Sequence, residues 1–413
     1  MKFFWVFLFA LFSFVLFSFF GNPPILTVTD NLIGLKNNLA GIFFVASTSE
    51  ELLKTKYAAA KNGGEAIRIL IVPGHDSASV GAQFKNVKEA DLTAELGERL
   101  AALFENGKEF EAITVRTKSG YSPEIASYLE KERSSIQAFR DGYRLYMKSA
   151  VDSGLVTRRE GVSHNDAPEE WTIKLYGINK WANENDVDLV LHIHFNDHGG
   201  RPANRLGKYS GFAIYFPEKQ FSNAEASAAV ARNIFNRLSA YFAPSDMPQE
   251  SPGIVEEQEL IAVGSNNSLD PAGMLIEYDY IYEPQFLYPE TRQAIIDELA
   301  FQTYMGIKDF FDGTATGAEN PPETTLLPYK WNSDMKEGFT GSADVLSLQA
   351  ALIREGVYPP PGFTRNDCPI TGVFKKCTVA AVKDFQKEYG IGPTGYVGPQ
   401  TRKILNEKYA PQQ

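Results

Sequence analysis

From Ile67 onward the chain alternates short apolar runs with longer segments of helical periodicity, and no other feature narrows the fold as much. The runs Ile67–Val72, Ala112–Arg116, Val187–Phe195, Gly211–Phe216 and Met274–Tyr280 are rich in Ile, Leu and Val and read as strands. Between and after them, 88–106, 124–150, 173–185, 222–242 and 291–311 read as helices. Strand and helix in alternation predict an α/β domain with a mostly parallel sheet flanked by helices on both faces. With 413 residues there is room for two or three domains at roughly 150 each. Lys plus Arg is 40 against 51 Asp plus Glu, a formal charge of −11, and no basic block offsets it, so nucleic acid is not an expected partner.

The flanks divide the rest. Residues 3–20 are apolar except for Ser13 and Ser18, follow the single charge of Lys2, and as a helix would reach roughly 27 Å, close to the hydrocarbon thickness of a bilayer. Segment 1–21 is therefore expected to be a membrane helix, either an uncleaved signal anchor or a removed signal peptide. Both place the remainder outside the cytoplasm, anchored in the cell envelope or secreted to the cell wall. Residues 22–65 read as a stalk, polar and helical from Ser47 and ending at Gly63-Gly64. The catalytic α/β domain is expected over 66–312, with 118–172 as an insertion. A Pro/Gly/Thr-rich linker follows over 313–341, polar enough that its two neighbours need not share a core. A small helical unit is expected over 342–413. Cys368 and Cys377, the only cysteines, predict a local disulfide in an exported domain.

Functional groups in α/β sheets gather at the carboxyl ends of strands. The first strand ends in Val72-Pro73-Gly74-His75, and Glu89 opens the next helix. The strand through Leu191-His192-Ile193-His194-Phe195-Asn196 carries two histidines near its end. Glu277 sits inside the apolar run Met274-Leu275-Ile276-Glu277, where a carboxylate is costly to bury alone. Two imidazoles and a carboxylate around an open position make a hydrolytic zinc site, and a second carboxylate beside it would carry the proton. Satisfied loop histidines and a surface Glu89 are the alternative on spacing alone. His192 reads as a ligand, a partner of the ligands or core packing. His198 reads as a loop residue, and His164 as a loop residue or part of a lid.

Taken together, Ile71-Val72-Pro73-Gly74-His75, Glu89-Ala90-Asp91-Leu92, His192-Ile193-His194-Phe195-Asn196 and Leu275-Ile276-Glu277 resemble, in order, the motifs of zinc-dependent N-acetylmuramoyl-L-alanine amidases of the cell-wall amidase 3 family. By position the resemblance implies zinc on His75, Glu89 and His194, with Glu277 as the catalytic glutamate. Four departures stand out. Asp76 replaces a glycine, His192 replaces a serine, Asp279-Tyr280 stands where Gly-Phe follows the glutamate, and 118–172 is longer than the family's usual connection.

Downstream, Asp344-Val345-Leu346-Ser347-Leu348-Gln349, Gly372-Val373-Phe374, Thr378 to Gln386 and Thr394-Gly395-Tyr396-Val397-Gly398 resemble the three-helix peptidoglycan-binding module. The joint implication is an exported zinc hydrolase, held on peptidoglycan by its C-terminal module, that cleaves the amide between N-acetylmuramic acid and L-alanine. A non-catalytic wall-binding scaffold with a decayed amidase domain is the competing reading. Retention of all four chemical positions argues against it.

Overall fold

The computed structural model describes residues 48–159, 168–202, 204–314 and 321–412. Its centre is a six-stranded sheet formed by β1 (Ile67–Pro73), β4 (Phe110–Thr114), β7 (Leu189–Asn196), β8 (Ala213–Pro217), β9 (Ile254–Glu257) and β10 (Ala272–Tyr280), in the order β4-β1-β7-β10-β8-β9. Every pairing is parallel except β8 against β10. Small hairpins β2–β3 (Gln83–Phe84, Val87–Lys88) and β5–β6 (Arg116–Thr117, Gly120–Tyr121) lie outside it. The expected strands are present. Edge strand β9 was not anticipated, because four residues ending in Glu256-Glu257 carry little strand signal.

Alternate side chains of β1 serve two cores, as the period of a strand requires. Ile67, Ile69 and Ile71 pack in one core with Leu92, Leu96 and Leu100 of α2 (Glu89–Phe104) and Ile295 of α8 (Pro289–Asp312). Leu70 and Val72 face the other, with Ile178 and Trp181 of α5 (Glu169–Glu184). His192 and His194 share the parity of Val190, so they belong to the α5 side of the sheet. The helix expected over 124–150 is two, α3 (Pro123–Lys131) and α4 (Arg133–Asp152), broken at Glu132. α6 (Ala224–Ser239) packs beside α8, and short α7 (Pro284–Leu287) precedes α8.

The polar helix expected in the stalk is α1 (Glu50–Lys61), and it lies against the α/β domain. Leu53 and Tyr57 are buried, the Tyr57 hydroxyl donates to Asp312 at 3.0 Å, and Lys56 pairs with Asp188 at 2.7 Å. The C-terminal helices α9 (Ala343–Arg354), α10 (Lys376–Glu388) and α11 (Pro399–Tyr409) form the small unit, and Cys368 and Cys377 are disulfide-bonded. The linker and this unit also pack on the α/β domain, contrary to the independence expected of a polar linker. Glu298 of α8, fully buried, accepts from the amide and hydroxyl of Thr325 at 2.7 and 2.6 Å. Asn366 donates to the carbonyl of Pro244 at 2.8 Å, and one hydrophobic core runs from Leu53 to Leu405.

The expected membrane helix is corrected. Among the described residues no helix is long and apolar enough to cross a membrane. The longest, α8, has the length but carries Glu290, Arg292, Asp297, Glu298, Lys308, Asp309 and Asp312. Residues 3–20 lie outside the described residues, and the membrane is not retained as a partner.

Candidate metal centre

The loop after β1 is held from beneath by an arginine. Arg116, buried, donates to the carbonyls of Pro73 at 3.0 Å, Gly74 at 2.6 Å and Ala90 at 3.1 Å, and to the Thr93 hydroxyl at 2.8 Å. The Gly74 amide donates to Ile193 of β7 at 2.8 Å, tying the loop to the strand that carries His194. On this fixed base His75 adopts φ +62°, a left-handed conformation uncommon outside glycine and frequent at functional sites. Two glycines leave space for the rings. A Cβ on Gly74 would meet the His194 ring at 2.3 Å, and one on Gly81 would meet Glu89 at 2.4 Å and His75 at 2.6 Å.

Glu89, the first residue of α2, is aimed inward. It accepts from the amides of Ala82 at 2.8 Å and Phe195 at 3.2 Å, and it meets His75 Nε2 at 3.2 Å and His194 Nδ1 at 3.0 Å. One ligand atom each from His75, Glu89 and His194 lies within 4.8 Å of the others. Burial opposes ionisation of Glu89, yet hydrogen bonds to His194 and His75 outweigh it and hold the carboxyl well below its usual range.

Glu277 stands beside this cluster because β10 pairs with β7 in a register that places it opposite His194. Its Oε2 is sealed from solvent and has no hydrogen-bond partner among the described residues, although the side chain lines the cleft. Burial first, then the negative charges of Glu89 and Glu250, raise its pKa well above the ordinary 4.5. Behind it, Glu250 is fully buried and accepts from Asn196 and Tyr215 at 2.7 Å each, from Tyr280 at 3.3 Å and from Ser245. Glu250, Tyr215 and Arg116 escaped sequence reasoning because nothing in their local patterns distinguishes them from ordinary loop and strand residues.

His192 lies outside the three-residue cluster. It is buried, burial pushes its pKa down to about 3, and its Nε2 has no partner among the described residues, although the side chain lines the cleft. His198 packs edge-on against Tyr209, 4.8 Å between centroids. His164 lies outside the described residues. The cleft encloses about 490 Å³, and of the insertion 118–172 only Tyr121, Pro168 and Trp171 line it among the described residues. A histidine–glutamate–histidine donor set with a partnerless carboxylate in the same cleft fits a catalytic zinc, which takes nitrogen and oxygen ligands and keeps a position open.

Residues 341–405 match the family described as putative peptidoglycan binding domain, and residues 69–285, more than half of the chain, match N-acetylmuramoyl-L-alanine amidase. Similar solved structures include an N-acetylmuramoyl-L-alanine amidase from Clostridium difficile 630, 16% identical over 61% of this chain and 100% of that one, with a TM-score of 0.38. Another is the N-acetylmuramoyl-L-alanine amidase AmiC2 of Nostoc punctiforme, 15% identical over 60% of this chain and 99% of that one, with a TM-score of 0.37. No curated protein matches. The amidase match begins in β1 and ends beyond β10, so it takes in every segment that builds the cleft, and the chain therefore belongs to the N-acetylmuramoyl-L-alanine amidases, zinc-dependent hydrolases, with a peptidoglycan-binding module at its C-terminal end.

Proposed function

We propose that His75, Glu89 and His194 hold the zinc ion and that Glu277 is the catalytic acid and base as the enzyme cleaves the amide between N-acetylmuramic acid and L-alanine. Zinc, when bound, supplies a Lewis acid for the scissile carbonyl and makes water acidic enough to attack near neutral pH. The chain's own residues do the rest. Glu277 accepts the proton from the attacking water and delivers it to the departing nitrogen, so that the carbon–nitrogen bond breaks to leave a lactyl carboxylate and a free L-alanine amine. A nearby cation favours the ionised form of Glu277 that must accept the proton, against the burial that disfavours it. Glu250 steadies Asn196 and Tyr215 beside it. The arrangement of domains proposed is a catalytic unit over 66–312 with its insertion at 118–172, a linker over 313–341 and a wall-binding unit over 342–413. The last acts at the cell envelope by keeping the enzyme on its polymeric substrate and raising the local concentration of scissile bonds.

The observation that carries this reading is the three-residue cluster with the partnerless Glu277 carboxylate one strand away. Digestion of purified sacculi by the zinc-loaded full chain tests it. Mass analysis should find stem peptides with free N-terminal alanine, and glycan strands left intact. Products cut within the stem, with the lactyl–alanine amide preserved, would make the enzyme a peptidase.

A further inference from the structure

Two departures noted in the sequence meet in space. Asp76, which directly follows His75, accepts the Nζ of Lys174 at 3.1 Å and the Tyr121 hydroxyl at 3.3 Å. Backbone amides of Ala78 at 2.8 Å and Ser79 at 3.1 Å fix its other oxygen. Lys174 in turn lies 4.3 Å above the Trp171 ring and 5.3 Å from that of Tyr121. A cation braced by a carboxylate and two aromatic faces has little freedom to leave its position. Its side chain nevertheless keeps 32% of its surface open, and it lines the cleft that holds the metal cluster.

Charge makes this position distinctive. Glu89, Glu277 and Asp197 line the cleft, whereas Lys174 is the only Lys or Arg among its described lining residues. Leu260 to Ala262, which also line the cleft, are apolar. An ammonium has three donors, and among the described residues Asp76 takes one. Among the described lining residues Lys174 is thus the one side chain with a fixed positive charge for a substrate carboxylate to pair with.

We propose that Lys174 is a specificity-determining residue that binds a carboxylate on the peptide side of the substrate. The inference rests on the amidase reading of the cleft and adds to it a preference for stems whose second residue has a free α-carboxylate over those in which it is amidated. Asp76, Trp171 and Tyr121 position the ammonium.

The test uses the zinc-loaded full chain and two soluble probes, a muramoyl dipeptide whose second residue has a free α-carboxylate and the α-amide of the same compound. The wild-type KM should be about tenfold lower for the free acid, the scale of one charge-assisted hydrogen bond at a part-exposed cation. K174M should bring the two KM values together, and K174R should restore the difference, with zinc content equal in all three proteins. Equal KM values in the wild type would overturn the proposal and leave the amidase reading standing. So would a K174M protein that keeps the preference, or one that raises both KM values alike, because the pair would then be a structural brace. Failure of the wild type to release alanine-terminated product from either probe would overturn the amidase reading, and this inference with it.

Discussion

Two glutamines of the C-terminal module and two buried groups of the cleft stand in opposite polar surroundings. In the C-terminal module the Gln349 side chain donates to Val373 and Thr378 at 3.2 and 3.1 Å and accepts from the amides of Thr371 and Gly372 at 3.0 and 3.1 Å. Gln386 repeats the device, donating to the Tyr396 carbonyl at 2.8 Å and the Thr401 hydroxyl at 2.9 Å while accepting from the Gly395 amide at 2.9 Å. In the cleft, Glu277 Oε2 and His192 Nε2 are buried without partners, and His75 holds a left-handed backbone. Saturated groups brace loops between helices and stabilise the fold. Partnerless ones cost stability, and they persist where a ligand or a reacting group is to complete them. The two glutamines keep a shape, and Glu277 stands where a substrate would be received.

The comparison breaks most sharply at the metal. His75→Ala or His194→Ala should lose zinc on dialysis and reduce hydrolysis to background, since two protein ligands rarely retain the ion. Metal analysis beside a muropeptide assay reads this, and stoichiometric zinc in both variants would remove these histidines from the site. Next in size is Glu277→Gln, which keeps the shape and discards the proton acceptor. Turnover should fall by about 10²–10⁴-fold with zinc retained. Loss of metal in that variant would instead make Glu277 a ligand.

Gln349→Leu probes the other region. It strands the amides of Thr371 and Gly372 and should lower stability by about 1–3 kcal/mol, measured by denaturant unfolding. An unchanged midpoint would show that these amides find water instead.

The finest test compares stability against pH in zinc-free protein. The folded pKa of Glu277 is raised above the ordinary 4.5, so between those values the unfolded chain has released a proton that the folded chain still holds. Stability contributed by the neutral carboxyl is therefore complete below 4.5 and is lost as pH rises through the folded value. Zinc-free Glu277→Gln should melt higher than zinc-free wild type near neutral pH, and the gap should close toward pH 4.5. A gap independent of pH would mean that Glu277 is not penalised when it ionises.

What could be read along the chain was whatever repeats or clusters locally. Apolar runs located five strands of the sheet, helical spacing located α9, α10 and α11, and nine residues of separation made the Cys368–Cys377 pair plausible. The segments around His75, Glu89, His194 and Glu277 stood out because their residue types are unusual beside strands, and folding brings the first three into one cluster. What could not be read depended on elements meeting across long separations. Lys174 and Asp76 are 98 residues apart, Tyr215 and Glu250 are 35 apart, and Asn366 reaches Pro244 across 122. No local period encodes such contacts. They arise when the sheet order and the helix packing set the distances, and a hydrogen bond or ion pair needs those distances correct to a few tenths of an ångström. The docking of α1, of the linker and of the C-terminal module has the same origin: their sequences look independent, and only apposed surfaces reveal that Tyr57, Thr325 and Asn366 find partners on the α/β domain.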